Sequence, residues 1–190
     1  SGERLLQATT PSVGASVLLG AGVNVYANAS TSFETPTTTE LTNRPTGAGG
    51  LNPDLAPQRA RSFEGGVKGG GALGARAAAT WQLAAYHTAI RDALVPFEVP
   101  GAAGRQYYRN AGRARHRGVE ASGELALGSV TARAAYTLVA ARFVEYTVRD
   151  TSYAGRRVPG VAPRRLETAL EWRGPRGALV ALEERAQDRT

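Results

Sequence analysis

Cysteine is absent from the 190 residues, so neither a disulfide framework nor a thiolate metal site can be built. Histidine is nearly absent: His87 and His116 stand far apart, with no carboxylate at ligand spacing, which argues against a metal centre. Long apolar runs are missing as well. With no stretch of about 18 apolar residues and a mean hydropathy of -0.27, a bundle of membrane-spanning helices is excluded. Aromatic residues make up only 7% and much of the apolar content is alanine, which is poor material for a compact core. Lysine is reduced to Lys68, so the formal charge of +7 rests on arginine and favours phosphate-bearing partners, on nucleic acid or on lipid head groups. Ser122 sits in VEASGE, without the G-x-S-x-G of a nucleophile elbow, and no catalytic residue is assigned. The start, SGERLLQATTP, lacks the basic and apolar regions of a secretion signal, so an envelope protein of this sequence is expected to be represented by an internal piece.

What the chain does contain is period-two alternation. In Val23 to Phe33, Val23, Val25, Ala27, Ala29, Thr31 and Phe33 share one side, while Asn24, Tyr26, Asn28, Ser30 and Ser32 share the other. Similar stretches are expected at Val13 to Leu19, Arg59 to Lys68, Ala75 to about Leu94, Arg105 to Leu127 with a bulge near Gly112 or Gly118, Val130 to Tyr146, Arg164 to Trp172, and from Ala178 onward. Tight links at Gly20 to Gly22, Gly69 to Gly74, Gly128 to Ser129 and Gly174 to Gly177 alternate with longer polar loops. These loops are Glu34 to Pro57, the segment with Pro96, Pro100, Gly101 and Gly104, and Thr147 to Arg157. Short turns on one rim and long loops on the other are the pattern of an outer-membrane barrel. The expected fold over residues 1–190 is all-β: an antiparallel up-and-down meander forming a partial transmembrane β-barrel of about eight strands.

With strand directions set, arginine caps the apolar face at the loop-side rim. Arg59, Arg61, Arg91, Arg113, Arg115, Arg117, Arg142 and Arg164 all fall on the outward parity of their strands. An arginine facing mid-bilayer costs roughly 2 to 4 kcal/mol, but about 0 to 1 near the interface. These eight are therefore expected above the hydrocarbon, as a basic collar for phosphates of outer-membrane lipid.

The same residues admit other readings. Leu83, Tyr86, Ile90 and Leu94 also lie at helical spacing, as does part of Leu179 to Gln187, so a helix competes with a strand in Ala75 to Val95 and in the tail. Gly69, Gly71 and Gly74 make a G-x-G-x-x-G with Asp92 downstream, but Glu64 and Lys68 occupy a strand that a dinucleotide fold would keep apolar, and a tight turn is preferred. Tyr107 and Tyr108 among the arginines of 105–117 resemble an aromatic-basic surface for single-stranded nucleic acid. Recurrence of arginine on the other strands favours the barrel rim, and no nucleic-acid partner is expected. Glu120, Ser122 and Glu124 fit a solvated lumen face, and the Asn28-Ala29-Ser30 sequon is incidental inside a strand.

YANASTSFETPTTTEL (Tyr26 to Leu41), LNPDLAPQRARSFEGGVKG (Leu51 to Gly69), YYRNAGRARHRGVEASGEL (Tyr107 to Leu125) and RRVPGVAPRRLETALEW (Arg156 to Trp172) resemble successive barrel segments of TonB-dependent outer-membrane receptors. The resemblance spans nearly the whole chain. It implies a 22-stranded barrel, plugged by an N-terminal domain, that imports scarce ligands such as ferric siderophores with energy from the TonB complex. This chain would be part of that barrel, without cofactor. Ligand contacts are then expected from loop-rim residues: Asn43, Arg44 and Asn52 in the loop Thr35 to Pro57, then Arg105 and Tyr108, then Tyr153 and Arg156. A passive porin or small structural barrel, and a soluble basic nucleic-acid-binding domain, remain the alternative functions.

Overall fold

Period-two alternation is realised as a ladder of antiparallel strands. The computed structural model describes residues 3, 5–47, 49–99, 104–148 and 151–189, with backbone only for residue 111. The elements are β1 (Ser12–Gly20), β2 (Val23–Glu34), α1 (Thr38–Thr42), β3 (Gln58–Gly74), β4 (Ala77–Phe97), β5 (Tyr107–Leu127), β6 (Val130–Glu145), β7 (Thr147–Val148), β8 (Thr151–Ser152), β9 (Arg164–Arg173) and β10 (Leu179–Gln187). Eight of them form one open sheet in the order β1-β2-β3-β4-β5-β6-β9-β10, and β7 pairs with β8 inside the loop between β6 and β9. The order follows the chain, as a meander of tight turns and loops requires.

One face is apolar and turned outward. Val25, Val67, Leu83, Ala121, Tyr136 and Leu166 lie directly opposite one another across β2, β3, β4, β5, β6 and β9. Val25, Leu125 and Leu138 are 42%, 36% and 45% exposed, so they do not converge on a closed interior. The other face carries Asn24, Lys68, Gln82, Ser122 and Glu167 in register. A sheet with one greasy and one polar face is what a barrel wall between lipid and water requires.

Ala77–Phe97 and Leu179–Gln187 are strands, as expected, and not the competing helices: β4 ladders with β3 and β5, and β10 with β9, which outweighs alanine's helical preference. Two expectations need correction. The glycines from Gly69 to Gly74 are not a turn: β3 runs through them and the link to β4 is Ala75 and Arg76. They serve space instead, since a Cβ on Gly69 would lie 2.9 Å from the Trp81 ring opposite it. The loop Glu34 to Pro57 also contains a helix. Of the loop carrying Pro96, Pro100, Gly101 and Gly104, Pro100 and Gly101 lie outside the described residues, as do Arg149 and Asp150 of Thr147 to Arg157 and the first two residues and Leu5's predecessor at the N-terminus.

The bulge falls at the Gly112 side of the expected choice, where the β5–β6 register shifts between Arg113 and Ala114. Asp92, opposite it on β4, has φ +55°, and it re-aims the strand: Ile90 below and Ala93 and Val95 above join the same apolar cluster with Ala114 and Phe143. Strict alternation would have placed Ile90 and Ala93 on opposite faces. Gly118 stays in register, and its missing Cβ makes room for Tyr86, whose ring would approach it to 2.5 Å. Gly118→Val is therefore expected to destabilise the folded protein by about 1–3 kcal/mol, measured as a lower urea midpoint. Unchanged stability would show that Tyr86 is free to swing away.

Candidate functional site

The long loop after β2 is ordered by its own sequence. Thr37 and Glu40 form a capping box: Glu40 N donates to Thr37 Oγ1 at 3.3 Å and Thr37 N to Glu40 Oε2 at 2.7 Å. That fixes the single turn of α1 and turns Leu41 inward, where it and Leu55 are buried. Asn52 is also buried; its N donates to Leu41 O at 2.7 Å and its Oδ1 accepts from Asp54 N at 3.1 Å. Arg44 closes the other side, Nη1 donating to Gly49 O at 3.0 Å.

The folded loop is then tethered to the tips of β4 and β5. Arg105 Nε donates to Asn43 Oδ1 at 2.7 Å, and Asn43 Nδ2 donates to Gln106 O. Asn110 makes the stronger clamp: its Oδ1 accepts from Ala56 N at 2.7 Å, while its Nδ2 donates to Ala56 O at 2.7 Å and to Asp92 O at 2.6 Å. Gln58 Oε1 accepts from Leu94 N at 3.3 Å on the same edge. One asparagine thus joins the loop, the Asp92 bulge and β5.

Beside this clamp is an aromatic cluster. Phe97 and Tyr107 lie 6.1 Å apart, Phe143 and Tyr146 4.6 Å, and Tyr146 and Tyr153 5.6 Å between ring centres. The Arg109 guanidinium lies 4.8 Å from the Phe97 ring and 5.5 Å from that of Tyr146, with Nη2 donating to Tyr146 Oη at 3.3 Å. Its Nε is buried and finds no hydrogen-bond acceptor among the described residues. The result is a cationic aromatic cluster at the loop rim, with Tyr107 and Phe143 buried and Tyr153 exposed.

The expected contact residues divide into two groups. Asn43 and Arg105 are in direct contact, and Tyr108 lies close by, with Oη donating to Gln106 Oε1 at 3.4 Å. Arg44 points back into its own loop, and Asn52 is enclosed by it. Tyr153 packs on Tyr146, and Arg156 is held through its backbone, its O accepting from Phe143 N at 2.9 Å; no contact among the described residues joins this pair to Asn43 and Arg105. Arg109 and Asn110 were not singled out from the sequence. Both sit in the YYRN run, but the partner of Asn110 lies 54 residues away.

On the lumen side the short-turn half is a trough of about 1150 Å³, lined by Asn24, Lys68, Gln82, Ser122, Glu124 and Arg133 among others. Several of its charges are paired. Arg133 bridges Glu124 at 2.7 Å and Glu171 at 3.5 Å, and Glu167 bridges Arg185 at 3.2 Å and Arg165 at 3.4 Å. Such a wall offers paired polar groups to a surface laid against it. Among the described residues no group of three His, Asp or Glu side chains is placed to hold a metal.

The collar arginines share the parity of the exposed apolar side chains. Arg59, Arg91 and Arg113 are directly opposite one another across β3, β4 and β5, and Arg115 is opposite Arg142 and next but one to Arg61. Arg117 Nε donates to His87 Nδ1 at 3.1 Å, and Arg164 is ion-paired with Asp188 at 2.8 Å.

Residues 2–186 match the sequence profile of a family described as TonB dependent receptor-like, beta-barrel. Solved structures share the fold. The hemophore receptor HasR of Serratia marcescens, solved with its hemophore HasA and heme, superposes with a TM-score of 0.67 at 20% identity, covering 94% of this chain and 32% of HasR. The copper transporter OprC gives 0.62 at 17% identity, covering 85% and 23%. The alcaligin outer-membrane receptor FauA from Bordetella pertussis gives 0.58 at 20%, covering 95% and 29%. The chain spans about a quarter to a third of the length of these proteins.

Proposed function

Because the chain belongs to the TonB-dependent receptor β-barrel family and its wall lies in the outer membrane, we propose that it supplies wall and loops to a receptor for energised uptake of a scarce ligand of the iron-siderophore type. The observation that carries this reading is the loop rim: a long loop folded by its own capping box and buried leucines, clamped by Asn110, beside a half-buried cationic aromatic cluster at Arg109. Ordered loops over a polar lumen suit capture of a bulky anionic chelate, for which arginine and aromatic rings are the usual partners. Asn43, Arg105 and Tyr108 form one contact group, and Tyr153 and Arg156 a second. Arg44 and Asn52 act one step back by shaping the loop. A plug domain elsewhere in the protein would connect to the TonB complex, and the paired charges of the trough would face it.

The test uses the intact protein in detergent and a panel of ferric hydroxamate, ferric catecholate, haem and Cu(II) probes, read by intrinsic fluorescence quenching. One class is expected to bind saturably. The pair Arg105→Ala with Tyr108→Ala should weaken it about tenfold, the equivalent of about 1.4 kcal/mol. Open, unsaturable ion flow across planar bilayers with no saturable binding would instead identify a passive channel.

A further inference from the structure

The two candidate contact groups do not touch each other, yet a continuous column joins them. The Arg105 guanidinium lies 5.4 Å from the centre of the Tyr107 ring, and Tyr107 stands 6.1 Å from Phe97. Beyond Phe97 comes the Arg109 guanidinium at 4.8 Å, then Tyr146 at 5.5 Å from it, then Tyr153 at 5.6 Å between ring centres. One end is tied to the long loop, because Arg105 Nε donates to Asn43 Oδ1 at 2.7 Å. The other is tied to Arg156, whose N donates to Tyr153 O at 3.0 Å. Strand register explains the middle: Phe97 is opposite Tyr107 and Val95 is opposite Arg109, so residues 107 and 109 of β5 share the face that carries Phe97.

Exposure grades along the column. Arg105 and Tyr153 are exposed, Tyr107 is buried, and Phe97, Arg109 and Tyr146 are half-buried. The ends are open to a ligand and the middle is largely covered. Stability does not explain an arginine in that middle. Its Nε is buried and finds no acceptor among the described residues, and a buried donor left unpaired destabilises a fold. What the guanidinium supplies is a planar cation in contact with rings from two different elements, Phe97 of β4 and Tyr146 just beyond β6, the second also through Nη2 to Oη. Removing that one group parts the column in two.

We infer that Arg109 is a positioning residue that couples the two contact groups into one ligand site, so that ordering either end orders the other. This rests on the reading of the loop rim as a ligand site and adds that the site is a single unit across both loops. The route is shared ordering. A contact that holds Arg105 restrains Tyr107, Phe97 and Arg109 in turn, and the Tyr153 end then loses less freedom when the ligand engages it. Coupling of this kind is reciprocal.

The coupling is read first without ligand, by hydrogen exchange of the intact protein in detergent. Arg105→Ala is expected to accelerate exchange in residues 151–158, at the far end of the column, about two- to fivefold, the weight of one exposed cation–ring contact. Tyr108→Ala, on the opposite parity of β5, should leave 151–158 unchanged. In an Arg109→Gln background, and equally with Arg109→Lys, which keeps the charge and loses the planar fork, Arg105→Ala should no longer reach 151–158. Acceleration confined to the surroundings of Arg105 in the native background would overturn the coupling. A far-end response that persists in the Arg109 variants would overturn the role of Arg109. The first comparison needs no Arg109 variant, so it decides even where those variants fail to fold. Binding is read second, with the ferric hydroxamate, ferric catecholate, haem and Cu(II) probes. For a probe that binds saturably, Arg105→Ala with Tyr153→Ala should weaken it less than the product of their separate effects, and a full product would mean two independent contact groups and overturn the coupling. Where no probe binds, the uptake reading fails while the exchange result still decides the coupling.

Discussion

Ala121→Arg is expected to destabilise the folded protein by about 2–4 kcal/mol in phospholipid vesicles, whereas Ser122→Arg, one residue along, should stay within about 0.5 kcal/mol. The two side chains leave β5 on opposite faces. Ala121 lies in register with Leu83 and Tyr136, which are 47% and 39% exposed on the apolar side, and it sits near the middle of the band between Arg117 and Leu127. A guanidinium there has neither water nor counter-ion within easy reach. Ser122 lies between Gln82 and Ala135 and lines the wet trough, where added charge is hydrated. Urea unfolding midpoints of both variants provide the measurement. Equal and small effects would mean that the outward face does not meet lipid at that depth.

Asn110→Ala is expected to release the long loop while leaving the sheet intact. Three hydrogen bonds vanish at once, and the N–H and carbonyl of Ala56 and the carbonyl of Asp92 lose their partner. Stranding part-buried backbone groups costs about 1–3 kcal/mol each before water re-enters. Water access lowers the sum, and a net loss of about 2–3 kcal/mol raises the open population of the loop roughly 30- to 150-fold. Hydrogen exchange in residues 38–57 should accelerate accordingly, with β2 to β6 unchanged. Asn110→Asp keeps the acceptor for Ala56 N but loses the donor to both carbonyls, so it should fall between. Exchange in the loop that is indifferent to both substitutions would show that the buried leucines, not the clamp, hold it.

The wall was readable because it depends on local order. Alternation in Val23 to Phe33 and in Val130 to Tyr146 is written in consecutive residues, and strand boundaries followed to within a few positions. The capping box was equally local, since Thr37 and Glu40 stand three apart before Leu41, and it marks a helix that the loop's proline and threonine content obscured. Glycines were another matter. Gly69 and Gly118 read as breakers until Trp81 and Tyr86 are known to cross them from the next strand, information that exists only after pairing. The rim divided along the same line. The polarity of Asn52 marks it as a contact residue, but it is consumed inside the loop, whereas Asn110 and Arg109 gain their roles from partners on other elements.

The collar shows the complementary case. The expectation of eight outward arginines rests on parity and strand direction, and register shows which of them stand opposite each other. Arg91 opposite Arg59 and Arg113 is a pairwise fact of the sheet. So is the ion pair between Arg164 and Asp188, of which the local sequence of Asp188 carries no sign.

Because these 190 residues contain no cysteine, single cysteines at 119 to 125 of β5 can each carry a nitroxide spin label in the intact protein reconstituted into bilayers. Val119, Ala121, Gly123 and Leu125 are predicted to be accessible to oxygen dissolved in lipid and shielded from a water-soluble nickel chelate. Glu120, Ser122 and Glu124 should show the reverse, giving an accessibility profile that alternates at every residue. A profile without that alternation, or one in which all seven positions respond to the nickel chelate alone, would contradict a wall with lipid on one side and water on the other.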